Sequence, residues 1–134
     1  MVKAARPRSE KEGVGLTMKM KYHHLGIPTT VPQKDEKYLD RFGTYVAGYE
    51  ASPYGIEWMR YAADAPLPDL VKTVPHIAFE VDDLLEAISG KEILIPPNSP
   101  SEGVTVAFIV DNGAPVEFIQ FHTGYEGKRS PDSE

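Results

Sequence analysis

The fold class predicted is α+β: two copies of one small β-α-β-β unit, the first shortened. Three observations predict it. The first is an internal duplication, which is the primary thing to seek in a new sequence. His24-Leu25-Gly26-Ile27-Pro28-Thr29 is echoed by His76-Ile77-Ala78-Phe79-Glu80-Val81, and Gly55-Ile56-Glu57-Trp58-Met59-Arg60-Tyr61 by Pro115-Val116-Glu117-Phe118-Ile119-Gln120-Phe121. The second is order: a Glu follows its His by 33 positions in the first copy and by 41 in the second. The third is periodicity. Apolar residues alternate as in strands or recur at helical spacing, and Asp111-Asn112-Gly113 is a strong hairpin signal.

In the first copy, Tyr22 to Thr29 reads as a strand, because it is apolar and Pro28 and Pro32 oppose a helix. Lys34 to Phe42 reads as a helix, with Tyr38, Leu39 and Phe42 at helical spacing and Gly43 as its stop. Thr44 to Glu50 alternates Tyr45, Ala47 and Tyr49 on one face of a strand. Ser52-Pro53-Tyr54-Gly55 is a turn before the strand Ile56 to Tyr61. Residues 62–73, rich in Pro and Asp, connect the copies. The second copy opens with the strand His76 to Val81. Asp82 then caps a short helix that carries Leu84, Leu85 and Ile88 and stops at Gly90. Glu92 to Ile95 is a short strand and Pro96 to Gly103 a loop. The strands Val104 to Val110 and Pro115 to Phe121 close the copy as a hairpin.

Composition narrows the function classes. The chain has 134 residues, with 14 Lys and Arg against 20 Asp and Glu, a formal charge of −6, 4 His and no Cys. That length suits one domain with its own core. The acidic balance opposes a nucleic-acid surface. The lack of Cys excludes a disulfide framework, a thiolate nucleophile and any Cys-held metal. No apolar run is long enough for a membrane helix or a signal peptide, so no membrane partner is expected and the cytoplasm is the expected compartment. Residues 1–18 and 123–134 are polar and rich in breakers, and are expected to be disordered tails around a single domain at 19–122, with modules at about 19–62 and 74–122. Met1, Met18 and Met20 are all available as starts.

Strand alternation sorts the polar residues. His24, Gly26 and Pro28 share one face, with His23, Leu25 and Ile27 on the other, which faces the helix. Glu57, Met59 and Tyr61 oppose Ile56 and Trp58. His76, Ala78 and Glu80 oppose Ile77, Phe79 and Val81, and Glu117, Ile119 and Phe121 oppose Val116 and Phe118. Two sheets would thus each present one His and one Glu on the face that the helices leave open. The small residue two places after each His would leave room for a ligand. A lone His or Glu in a strand is ordinarily structural, but a duplicated pair in matching strands is a chemically sensible site. Imidazole and carboxylate suit divalent Zn, Ni, Co, Mn or Fe, and four such ligands leave two octahedral positions open. His122, of the opposite parity to Glu117, reads as structural.

At these residues the chain resembles a known family. His24-Leu25-Gly26-Ile27, the stretch His76 to Leu84 and Val116-Glu117-Phe118-Ile119 are similar to motifs of the vicinal oxygen chelate superfamily. It includes glyoxalase I, methylmalonyl-CoA epimerase, extradiol dioxygenases and fosfomycin or bleomycin resistance proteins. The resemblance covers about residues 21–122. It implies two βαβββ modules forming a cup around one divalent metal, with His24, Glu57, His76 and Glu117 as ligands. The first module is short, with one strand missing or reduced, so its cup should be shallower. A Glu at position 57 favours the glyoxalase-like branch, in which the metal stabilises an enediolate and a metal-bound Glu moves the proton. By analogy Glu117 is the base and Glu57 the lesser candidate. Pro28 and Tyr61 replace an Arg that holds glutathione and an Asn in bacterial glyoxalase I, which counts against a glutathione-linked substrate. Tyr61, with Asn98 and Ser101 in the 96–103 loop, are the substrate-contact candidates.

The expected function is therefore a metal-dependent lyase or isomerase acting on a small α-oxygenated carbonyl compound. The alternatives are an Fe(II) extradiol-type dioxygenase using His24, His76 and Glu117, and a non-catalytic small-molecule binding protein. Unpaired sheet edges invite association, and a homodimer is expected.

Overall fold

The computed structural model describes residues 19–125. The strands are β1 (Met20–Pro28), β2 (Lys37–Leu39), β3 (Thr44–Ala47), β4 (Ile56–Tyr61), β5 (His76–Val81), β6 (Glu92–Asn98), β7 (Val104–Asp111) and β8 (Ala114–Phe121). Two helices, α1 (Asp69–Thr73) and α2 (Leu84–Ile88), and a 3₁₀ turn at Asp40–Phe42 complete the described elements. All eight strands join one mixed sheet, ordered β2-β3-β4-β1-β5-β8-β7-β6, which curls into a cup-like half-barrel. The expectation of two separate sheets is corrected: the halves are continuous through an antiparallel β1–β5 seam. The pairing rules of the first four strands recur in the last four. In each half the first strand runs parallel to the fourth, and the fourth and third, and third and second, are antiparallel.

Strands β4 and β5 lie where the apolar alternation placed them. The β7–β8 turn is the anticipated hairpin: Asn112 and Gly113 both adopt positive φ, 51° and 83°, between the paired Asp111 and Ala114, as a two-residue turn matched to strand twist requires. The helix cap lies one residue beyond the expected Asp82, where Asp83 Oδ1 accepts from the Glu86 N–H at 3.2 Å. Helix α2 then seals the outer face of the second half, burying Leu84 and Ala87 against Val81, Ala107, Ile109 and Phe118.

The first half departs from expectation. No helix forms over Lys34 to Phe42. Asp35 sits at φ 61°, a left-handed conformation that interrupts a helix at its first turn. The segment instead forms β2 and the 3₁₀ turn, which Gly43 ends at φ 59°. The first half therefore has all four strands, with β2 reduced to three residues against seven in β6, and it lacks the helix at this place. Tyr38, Leu39 and Phe42 had helical spacing for another reason. Tyr38 pairs with Tyr45 across β2–β3, ring centroids 4.7 Å apart, while Leu39 and Phe42 face the cup.

Where a helix would cover the outer face, Arg60 lies over the Tyr45 ring at 4.1 Å. Its Nε and Nη2 donate to Glu36 Oε2 and Oε1 at 2.9 and 2.7 Å.

Three further boundaries shift. β3 ends at Ala47 rather than Glu50, because Gly48 turns the chain at φ 95°. The 62–73 connection contains the single-turn helix α1, which buries Val71. β6 runs on through Pro96 and Pro97 to Asn98 with two register irregularities, so the expected 96–103 loop starts later. Prolines are tolerated there because β6 is an edge strand. Among the described residues no helix is long and apolar enough to cross a membrane. The expected tails lie outside the described residues, apart from positions 123–125.

The Arg60 hydrogen bonds to Glu36, with one from the Gln33 N–H, hold the Glu36 carboxyl at about 2, below its ordinary 4.5. A depressed carboxyl stabilises the fold fully above its unfolded pKa and loses that contribution as pH falls through its folded one. Glu36→Gln should therefore lower the Tm at pH 7, and the gap to wild type should close between pH 4.5 and 2. A gap that stays constant across that range in thermal melts at low salt would show that the pair does not act this way.

Candidate metal centre

The site is assembled by strand register. Across the antiparallel β1–β5 seam, His24 lies opposite Ala78 and Gly26 opposite His76. Through the parallel pairs on either side, Gly26 lies beside Glu57 and Ala78 beside Glu117. Two cross-sheet rows result, Glu57–Gly26–His76 and His24–Ala78–Glu117, one strand out of step. The small residue two places after each His thus makes room not for a ligand, as the sequence suggested, but for the other half's His.

That space is used tightly at one position. A Cβ added to Gly26 would lie 2.3 Å from His76 Cε1 and 2.8 Å from both its ring nitrogens. On another side the Phe108 ring meets His76 edge-on, centroids 5.0 Å apart at 70°. His76 Nδ1 is buried with no hydrogen-bond partner among the described residues. On the Nδ1 side, packing rather than a hydrogen bond confines that ring.

Three of the four expected ligands converge. Glu117 Oε1 is 3.3 Å from His24 Nε2 and 3.2 Å from His76 Nε2, and the two Nε2 atoms are 3.3 Å apart. Ligands on bonds of about 2.1 Å lie about 3.0 Å apart at octahedral angles and about 3.4 Å apart at tetrahedral ones, so this triangle has the size of one coordination face. All three side chains are buried. Two imidazole nitrogens and a carboxylate oxygen at this range compete for protons in an environment where unmet polar groups are costly. A dication satisfies all three at once, and the donor set fits one. His24, His76 and Glu117 are thus close enough to hold a metal ion. Burial raises the pKa of Glu117, but hydrogen bonds from His24 and His76, with their charge, more than offset this and lower it to about 2.

Glu57 is buried beside the trio but outside it, its Oε1 4.0 Å from His24 Nε2. The residues expected to contact substrate divide. Tyr61 and Asn98 line the cup's cavity, which holds about 600 Å³ of space with its mouth included, and Ser101 is not among the lining residues. His122 stays apart, its Nε2 2.7 Å from Thr105 Oγ1.

Strand parity misplaced His23. β1 carries a bulge between Tyr22 and His24, and an extra residue re-aims the side chains around it. His23 consequently stacks on Tyr49, centroids 5.3 Å apart at 10°, and places its Nδ1 2.8 Å from His24 Nδ1. With His24 Nε2 turned to the trio, its other nitrogen is oriented by His23, as metal-ligating imidazoles generally require of a neighbour. The doubled His was the available signal, and a bulge cannot be read from alternation. Phe108 gave no signal, since an aromatic residue in a strand reads as core.

No protein-family model and no curated protein matches the chain. Among solved structures, a hypothetical protein from Bacillus halodurans C-125 is similar at 20% identity and a TM-score of 0.58, with 84% of this chain and all of that one covered. At that identity the likeness concerns the fold alone.

Gly26→Ala tests the register. Its backbone suits Ala, so the added methyl acts on the His76 ring. Divalent-metal affinity should fall about 10- to 100-fold, the range for orienting contacts, with the fold retained by circular dichroism. Unchanged affinity in a Co(II) or Zn(II) titration would show that Gly26 does not set the ring.

Proposed function

We propose that this protein is a divalent-metal-dependent lyase or isomerase, moving a proton at a carbon next to a carbonyl or hydroxyl of a small substrate. The observation that carries the reading is a buried His24–His76–Glu117 triangle in an apolar cup, with a second buried carboxylate, Glu57, next to it but outside it. The repeated pairing of four strands in each half supports the two-module vicinal-oxygen-chelate plan as its scaffold. An ion held there lowers the cost of negative charge on a substrate oxygen.

The chain's own residues supply the rest. His24, His76 and Glu117 fix the position of that charge. Glu57 is the base we assign, in place of Glu117. Glu117 Oε1 lies against both imidazole Nε2 atoms, at 3.3 and 3.2 Å, where it would be committed to holding the ion. Glu57 lies outside the triangle, its Oε1 4.0 Å from His24 Nε2, and lines the same cavity. The apolar wall excludes water from the proton being moved.

The bare two-His, one-Glu triangle favours a second reading. It is the ligand set of non-haem Fe(II) oxygenases, and there Glu57 would be a neighbour rather than the base.

Metal analysis of protein purified without an affinity-metal step separates the two. Nickel, cobalt or zinc at about one per chain is expected, with α-proton exchange of a small hydroxyketone in D₂O followed by NMR. Glu57→Gln should lower that exchange by at least about 100-fold with the metal retained, whereas Glu117→Gln should lose the metal. Exchange undiminished in Glu57→Gln would remove Glu57 as base. Iron, with oxygen uptake on catechols, would establish the second reading instead.

A further inference from the structure

The walls of the cup constrain the part of the ligand that does not react. They come from both halves of the fold. Leu39 and Phe42 belong to β2 and the 3₁₀ turn, Val71 to α1, Ile95 to β6, and Val106 and Phe108 to β7. Away from the His and Glu groups, the wall's remaining polar side chains are Thr44, Tyr61 and Asn98.

Each of these has a donor engaged within the protein, and Asn98 Nδ2 carries a second N–H besides. The Thr44 hydroxyl donates to the Phe42 carbonyl at 2.8 Å, the Tyr61 hydroxyl to Met59 Sδ at 3.4 Å, and Asn98 Nδ2 to the Pro96 carbonyl at 2.9 Å. Among the described residues no Lys or Arg lines the cavity. Arg41, on the same 3₁₀ turn as Phe42, instead donates to the Ser99 carbonyl and lies over the Phe42 ring at 5.4 Å. An anionic group on a ligand would lose its water here against aliphatic and aromatic carbon with no cation in return. An alkyl or aryl group would gain.

We infer that the ligand is a compact, uncharged molecule with an alkyl or aryl body, whose polar recognition is confined to the oxygens it presents to the metal. The inference rests on the metal reading above and goes further, because it excludes substrates carried on an anionic handle such as a peptide carboxylate or a phosphate.

Bidentate hydroxamates on the Co(II)-loaded full chain test it. Co(II) binding is first measured by its visible absorption. Acetohydroxamate, hexanohydroxamate, benzohydroxamate and succinic monohydroxamic acid are then titrated. Hexano- and benzohydroxamate should bind at least about tenfold more tightly than acetohydroxamate, and the succinic compound no more tightly than acetohydroxamate. Leu39→Arg, a change on the short edge strand β2, should weaken hexanohydroxamate and strengthen the succinic compound. Failure to bind Co(II) would overturn the metal reading and this inference with it. Co(II) binding with affinities independent of the tail, or highest for the succinic compound, would overturn the inference alone.

Discussion

The structure depends on the antiparallel seam between β1 and β5. Two strands that each begin a half of the chain meet head to tail, and a His on each must fit against the backbone of the other. Only a small residue opposite each imidazole allows this, and Gly26 and Ala78 occupy those places. From that seam the parallel neighbours β4 and β8 bring in one carboxylate each. The closeness of His24, His76 and Glu117 follows from this register.

The seam also explains why the duplication was legible. His-x-Gly and His-x-Ala are the same requirement met twice, and alternation correctly sent His24, Glu57, His76 and Glu117 to one face. The boundaries of β4 and β5 and the Asn112-Gly113 turn were legible for similar reasons, since each rests on a short-range rule. What failed depended on distant partners. Tyr38 is in a strand because Tyr45 lies across from it, and no local pattern distinguishes that from a helical stripe. His23 turns beside His24 because β1 bulges against β5. The cavity wall was unreadable in principle, since Leu39, Val71 and Ile95 differ from core residues only in what they face.

The two buried carboxylates occupy related positions in the fold and different surroundings. Glu117 has both imidazoles within 3.3 Å of one oxygen, whereas Glu57 approaches one of them at 4.0 Å. A repeated scaffold therefore does not give a symmetric site. The asymmetry is one of reach: one carboxylate meets both imidazoles and the other approaches a single one.

The ends of the sheet have a consequence for assembly. β2 offers three residues, and β6 carries no N–H at Pro96 or Pro97. A short strand and strand prolines each weaken a sheet edge as a template for an incoming strand. On the outer face, among the described residues, the first half has Arg60 over the Tyr45 ring where the second half has helix α2.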